Sequence, residues 1–124
     1  MKLFIDDIRN APNESWSVAR TITSAIACIS RFGNIIEEIS LDHDISHQVT
    51  VGSLSRPYPC EETYQAVCHY IGLYYEGKDK RPKITLHTSN PVGAAQMKDI
   101  LNHYKIQSDI KLTGMANRLE MELK

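Results

Sequence analysis

Apolar residues open the chain in a short run, Lys2 to Ile5 (KLFI), and stop at two adjacent acids, Asp6 and Asp7. A run of that length closed by charge predicts a buried strand with the acids at its C-terminal edge. Residues 8–15 (IRNAPNES) are dominated by turn formers and include Pro12; Trp16 to Thr21 (WSVART) then reads as a second, short strand. From there apolar positions fall at Ile22, Ala25, Ile26 and Ile29, one face of a helix, with Thr21 or Thr23 available as cap and Gly33 as stop. Ile35 to Leu41 reads as a strand running into a core, and it gives way abruptly to Asp42-His43-Asp44. Residues 46–60 show no sustained period and hold Gly52, Pro57 and Pro59, which predicts an exposed loop of a length that is often functional.

Helical spacing returns at Tyr64, Val67, Cys68, Ile71 and Tyr75, with the acids Glu61 and Glu62 expected in the first turn and Gly77 as the end. Lys83 to His87 predicts another strand. The turn Ser89-Asn90-Pro91 starts a further helix, with Asn90 as N-cap, Pro91 at the first position and Val92, Ala95, Ile100, Leu101 and Tyr104 as the expected buried face. Asp109 to Thr113 is a plausible last strand, and the terminal ANRLEMELK fits strand or helix. Without repeats or low-complexity segments, strands alternating with helices predict one α/β domain over residues 1–124, a three-layer sandwich around a mainly parallel sheet.

Composition narrows the function classes. Lys+Arg 14 against Asp+Glu 15 leaves no basic field for an extended nucleic-acid surface, so any polynucleotide contact is expected to be local. The three cysteines, Cys28, Cys60 and Cys68, form no CxxC pair, and MKLFIDDIRN has neither a secretory apolar region nor a membrane-crossing length. A cytoplasmic protein with no membrane partner is the expectation.

Ligands of open parallel sheets bind at the carboxyl ends of the strands, and three predicted strands end there in reactive or polar groups. These are Asp6-Asp7, Asp42-His43-Asp44 and His87-Thr88-Ser89-Asn90. Each alone is also what an ordinary turn or cap contains; their convergence on one edge is the signal. Carboxylates of Asp6, Asp7 and Asp42 brought together need protons or a cation, and three oxygen donors suit Mg²⁺. Imidazoles at His43 and His87 extend the choice to Mn²⁺ or Zn²⁺. The same two histidines have the acid and base chemistry that hydrolysis of a cyclic phosphodiester requires near neutral pH. His47, His69 and His103 fit loop or helix-surface positions. Ser89, Asn90 and Gly93 offer phosphate-binding donors at a helix N-terminus, and Arg9 offers a bidentate contact. Most tyrosines are expected to pack on helices; Tyr58 is placed to stack on a base.

FIDDIRNAP, Trp16, ISLDHD, PCEETYQAV and HTSNPVGAAQM, in that order from Met1 to about Met97, resemble the motifs of the cyclic-phosphate-processing receiver-like domains, relatives of the response-regulator receiver fold. The resemblance implies a receiver-like α/β sandwich in which Asp6, Asp7 and Asp42 take the places that hold a divalent cation and accept phosphate in ordinary receivers. It implies action on cyclic phosphates of nucleotides or RNA ends, with His43, His87 and Asp42 as catalytic residues. The chain departs from a signalling receiver in the short stretch between its first two strands. It also lacks a lysine just past a fifth strand, Lys111 lying inside it, and the loop after LDHD has no immediate glycine. Two functions fit: a metal-assisted phosphoesterase, with Mg²⁺ or Mn²⁺ as cofactor, or a non-catalytic receiver-like module that binds a phosphorylated or cyclic nucleotide ligand. Phosphorylation of Asp42 is a third, minor reading.

Overall fold

The computed structural model describes residues 1–45 and 63–113 in full, and the backbone alone of 47–51 and 54–58. Five strands form one parallel sheet: β1 (Lys2–Ile5), β2 (Trp16–Ala19), β3 (Glu38–Leu41), β6 (Lys83–Thr88) and β7 (Ser108–Leu112), in the order β2-β1-β3-β6-β7. The order reverses at β1, so the crevice between the ends of β1 and β3 is the topological switch point of the sheet. Asp6 and Asp42 immediately follow those two strands.

Between β3 and β6 the chain forms an antiparallel pair, β4 (His47–Val51) with β5 (Leu54–Tyr58). The exposed loop expected over residues 46–60 is therefore corrected to a hairpin. Its strands are five residues each, too short to declare a period, and Pro57 sits where a two-stranded ribbon tolerates a missing donor. The side chains of His47 and Tyr58, Cys60, the acids Glu61 and Glu62, and the terminal ANRLEMELK lie outside the described residues.

Helix α1 (Ile22–Phe32) packs on α2 (Gln65–Tyr75), and α2 packs on α3 (Pro91–His103), so all three lie side by side on one face of the sheet. Strand alternation turns Leu3, Ile5, Ile39, Leu41, Ile84 and Leu86 toward them. Ala25, Ile29, Val67, Ile71, Met97 and Leu101 complete this core from the helix side. The opposite face carries Phe4, Ser40, Thr85 and His87, and continues into Asp6 and Asp42. Direct passage from β1 to β2 over residues 6–15, without a helix, lets the segment after Asp7 fold back over the sheet edge.

Thr21 caps α1 in a reciprocal capping box with Ser24, a motif worth about 1 kcal/mol. Gly33 follows in ordinary right-handed conformation. Its role is close approach, since a Cβ there would stand 2.3 Å from the Tyr74 ring. The inward face of α3 also differs from the sequence expectation. Gly93, Ala94, Met97 and Leu101 are buried, whereas Val92 is 66% exposed and Ala95 is exposed. Small residues face inward at the start of α3 because the helix comes down directly on His43.

Gly72 brings α2 against α3. A Cβ there would lie 2.3 Å from Cγ of Tyr104, the ring atom least able to swing away. Gly72→Ala is thus expected to lower stability by about 1 kcal/mol or more, overpacking outweighing the helix-propensity gain of about 1 kcal/mol. Urea denaturation measures the sign; an increase in stability would show that Tyr104 does not restrict this site.

Candidate active site

Asp6 is fully buried and accepts four hydrogen bonds. Backbone N–H groups of Ile8 and Arg9 reach Oδ1 at 3.0 Å each, and Oδ2 receives Arg9 Nη1 at 3.2 Å and His87 Nε2 at 2.8 Å. The tight turn after β1 thus wraps its own acid with amides. Arg20 fixes the turn from outside, donating through Nη1 to the carbonyls of Asp6 and Arg9. Tyr64 holds Arg20 in turn, its hydroxyl donating to the Arg20 carbonyl at 2.7 Å.

Asp42 follows β3, its N–H donating to the Ile5 carbonyl. Its Oδ1 accepts the His43 N–H at 2.8 Å and its Oδ2 accepts Arg9 Nη1 at 3.0 Å. One guanidinium nitrogen therefore bridges the two buried carboxylates. Burial alone would raise both pKa values. At Asp6 the bonds from His87, the Arg9 and Ile8 amides and the Arg9 side chain outweigh it and hold the carboxyl far below the usual carboxylate range. At Asp42 burial prevails, helped by the Asp6 charge and opposed by the His43 N–H, Arg9 and His87, and the carboxyl titrates above its ordinary value.

The two histidines lie in separate networks. His87 stacks on Phe4, with ring centroids 4.5 Å apart and planes 9° from parallel. Its Nε2 contacts Asp6 and its Nδ1 lies 2.6 Å from Ser40 Oγ. With Asp6 ionised, Nε2 carries the proton and donates, and the Ser40 hydroxyl donates to Nδ1. Both nitrogens are thereby used inside the fold.

His43 faces the helices instead. Its Nδ1 is 2.7 Å from Asp44 Oδ1, and its Nε2 is 2.9 Å from Gln65 Nε2, which also donates to Gln96 Oε1. The Gln65 amide donates to Nε2, so the proton of the ring sits on Nδ1, toward Asp44. A buried imidazole whose carboxylate partner is 54% exposed lies at the boundary between core and solvent.

At the start of α3, the Asn90 side chain accepts the Gly93 N–H at 3.0 Å, and its Nδ2 lies 3.4 Å from Asp44 Oδ2. The Gly93 N–H is thus occupied by the cap, and a Cβ on Gly93 would stand 2.5 Å from the His43 ring. Pro91 has no N–H and the Ala94 N–H donates to the Asn90 carbonyl, which leaves Val92 as the unused first-turn donor among the described residues. Ser89 is exposed beside it. The structure brings together Asp6, Arg9, Asp42 and His87 in one cluster and His43 and Asn90, through Asp44, in the next.

Asp6, Asp7 and Asp42 can direct one oxygen each to within 4.8 Å of one another. Among the described residues this is the group that can converge on an ion, and neither imidazole joins it. Hard oxygen donors of this kind fit Mg²⁺ or Mn²⁺ and give no reason to invoke Zn²⁺. Ser40, Arg20, Gln65 and Gln96 carried no signal along the chain, because each acts across elements distant in sequence.

Fold and site together define a receiver-like α/β domain with carboxylates at the switch point of its sheet. Residues 1–103 match the cyclic-phosphate processing receiver domain, and the chain belongs to that family. No curated protein and no solved structure matches it significantly.

The folded-state pKa of Asp6 lies below the unfolded value of about 3.9, so its stabilisation is complete above that value and is lost as pH falls below it. Asp42 has the opposite sign, its raised pKa favouring the protonated folded state at low pH and lost as pH rises through that pKa. Asp6→Asn is expected to be less stable than wild type at neutral pH and to flatten the loss of stability below about pH 4. Urea melts across that range read both effects; an unchanged slope would assign the acid sensitivity elsewhere.

Proposed function

We propose that this domain is a phosphoesterase that opens a cyclic phosphate of a nucleotide or of an RNA end, with His43 as its proton-transfer residue. The observation that carries this reading is the Asp44–His43 pair. A carboxylate holding Nδ1–H aims the Nε2 lone pair away from it, the arrangement in which an imidazole acts as general base. Gln65 occupies that lone pair through a single neutral hydrogen bond, which a water or a ribose hydroxyl can replace.

In the proposed reaction, His43 Nε2 takes a proton from water as the water oxygen bonds to phosphorus. The bond from phosphorus to one ribose oxygen breaks, and that oxygen takes up a proton from solvent, to which His43 returns the one it removed, leaving a phosphomonoester and a neutral imidazole. Arg9, the Val92 N–H and the Ser89 hydroxyl are the donors nearest the strand ends for the phosphoryl oxygens. Asn90 contributes by holding Asp44. Asp6, Asp7 and Asp42 would hold a divalent ion, which would supply positive charge for the phosphoryl oxygens. His87 acts differently. Fastened between Ser40 and Asp6, it is a positioning residue that keeps the Asp6 carboxylate oriented and ionised.

Substrate selection is local. With a formal net charge of −1, the chain offers no long-range attraction for polynucleotides, which favours a small cyclic nucleotide or a single RNA terminus.

The test is hydrolysis over 2′,3′-cyclic nucleotides, 3′,5′-cyclic nucleotides and oligonucleotides ending in a cyclic phosphate, each with Mg²⁺, Mn²⁺ or EDTA. Turnover on one class is expected, lowered about 10²- to 10⁴-fold by His43→Ala and less by Asp44→Asn, since that carboxylate is itself half exposed to water. His87→Ala is expected to reduce activity together with stability and to weaken the acid protection of Asp6. Wild-type turnover in His43→Ala removes the mechanism. Calorimetric binding of a cyclic nucleotide with no turnover on any substrate makes the domain a binding module.

A further inference from the structure

The carboxylate cluster already contains a cation. Arg9 Nη1 stands 3.2 Å from Asp6 and 3.0 Å from Asp42, the two buried members of the trio whose oxygens can converge on an ion. A divalent ion shared by those carboxylates would sit beside the guanidinium that already pairs with both, and two cations that close repel strongly in a partly desolvated pocket. Acidic clusters in other folds become cation sites because nothing else neutralises them. Here the sequence supplies its own counter-ion from three residues away.

The backbone of Arg9 is pinned independently of its side chain. Its N–H donates to Asp6 Oδ1 and its carbonyl accepts Arg20 Nη1. The guanidinium is 30% exposed at the end of a flexible stem, so it can leave the pocket by side-chain rotation while the turn stays fixed. We propose that the Arg9 guanidinium and a divalent ion occupy the Asp6–Asp42 pocket in turn, Arg9 serving as resident cation in the metal-free protein and swinging to the rim when an ion enters. At the rim its partner is an anion outside the pocket, so metal entry and presentation of a phosphate-binding arginine are one event. Only that last link rests on the phosphoesterase reading; the exchange itself needs no substrate.

Direct Mn²⁺ binding by calorimetry and thermal melting in Mg²⁺ test the exchange in the full chain without any activity assay. Arg9→Gln is expected to bind Mn²⁺ at least about tenfold more tightly than wild type, because the competing charge is gone. Without metal its melting temperature should fall, and excess Mg²⁺ should restore it more than it raises wild type. Equal or weaker Mn²⁺ binding by Arg9→Gln, or binding by neither protein, overturns the proposal. Nitrogen NMR of the Arg side chains in wild type provides a measurement that needs no variant to fold. Excess Mg²⁺ should abolish the hindered, hydrogen-bonded signature of Arg9, and its persistence overturns the proposal equally. Hydrolysis, whether present or absent, leaves these readouts unaffected and tests the enzymatic reading separately.

Discussion

Two carboxylates are buried side by side at the switch point of the sheet, and much of the local structure answers the electrostatic problem this creates. Parallel pairing of β1 with β3 puts Ile5 beside Leu41, so the next residues, Asp6 and Asp42, must be neighbours on the same face. Neither can be hydrated there as it would be in water. The turn after β1 donates two amides, Arg9 returns to bridge the pair, and His87 reaches across from β6. Arg20 and Tyr64 then secure the turn itself. The missing helix between β1 and β2 is consistent with this requirement, since a helix beginning at Asp6 would take the turn amides and Arg9 away from the carboxylates.

From this constraint follows the different standing of the two histidines. His87 lies on the face that carries Asp6 and Ser40, and both of its nitrogens are engaged there, Nε2 by Asp6 and Nδ1 by Ser40. His43 belongs to a loop that turns toward α2 and α3, where Gly93 makes room for its ring and Asp44 orients it. Chemically similar side chains at neighbouring strand ends thus point to opposite sides of the edge. One is held within the network of the acid pair, and the other pairs with a half-exposed carboxylate at the boundary with solvent.

Much of this was legible in the chain. The runs KLFI and IIEEISL and the helical spacing after Ile22 and Tyr64 locate the elements, since each buries a face whose periodicity survives in the sequence. Asp6, Asp42, His43 and His87 stand at strand ends that can be counted directly. The β4–β5 hairpin was hidden by strands too short to display alternation, and the α3 face by an inward Gly-Ala pair that hydrophobicity does not mark. The inward turn of Arg9 was hidden for another reason. A residue two positions after an acid pair reads equally as a loop arginine or a phosphate ligand, and only the placement of Asp42 beside Asp6 makes it a counter-ion.

The same placement bears on whether Asp42 or water attacks phosphorus. A carboxylate nucleophile needs an oxygen with an available lone pair facing the ligand and enough negative charge to use it. Here Oδ1 is committed to the His43 N–H and Oδ2 to Arg9. In the proposed reaction the attacking water has no such commitment, and the base that activates it is oriented by Asp44. These commitments of Asp42 are why the proposed reaction assigns attack to water rather than to the aspartate. In this account the receiver-like fold keeps its acid pocket as a means of managing charge at the phosphate, while the chemistry moves one residue along the chain, from Asp42 to His43.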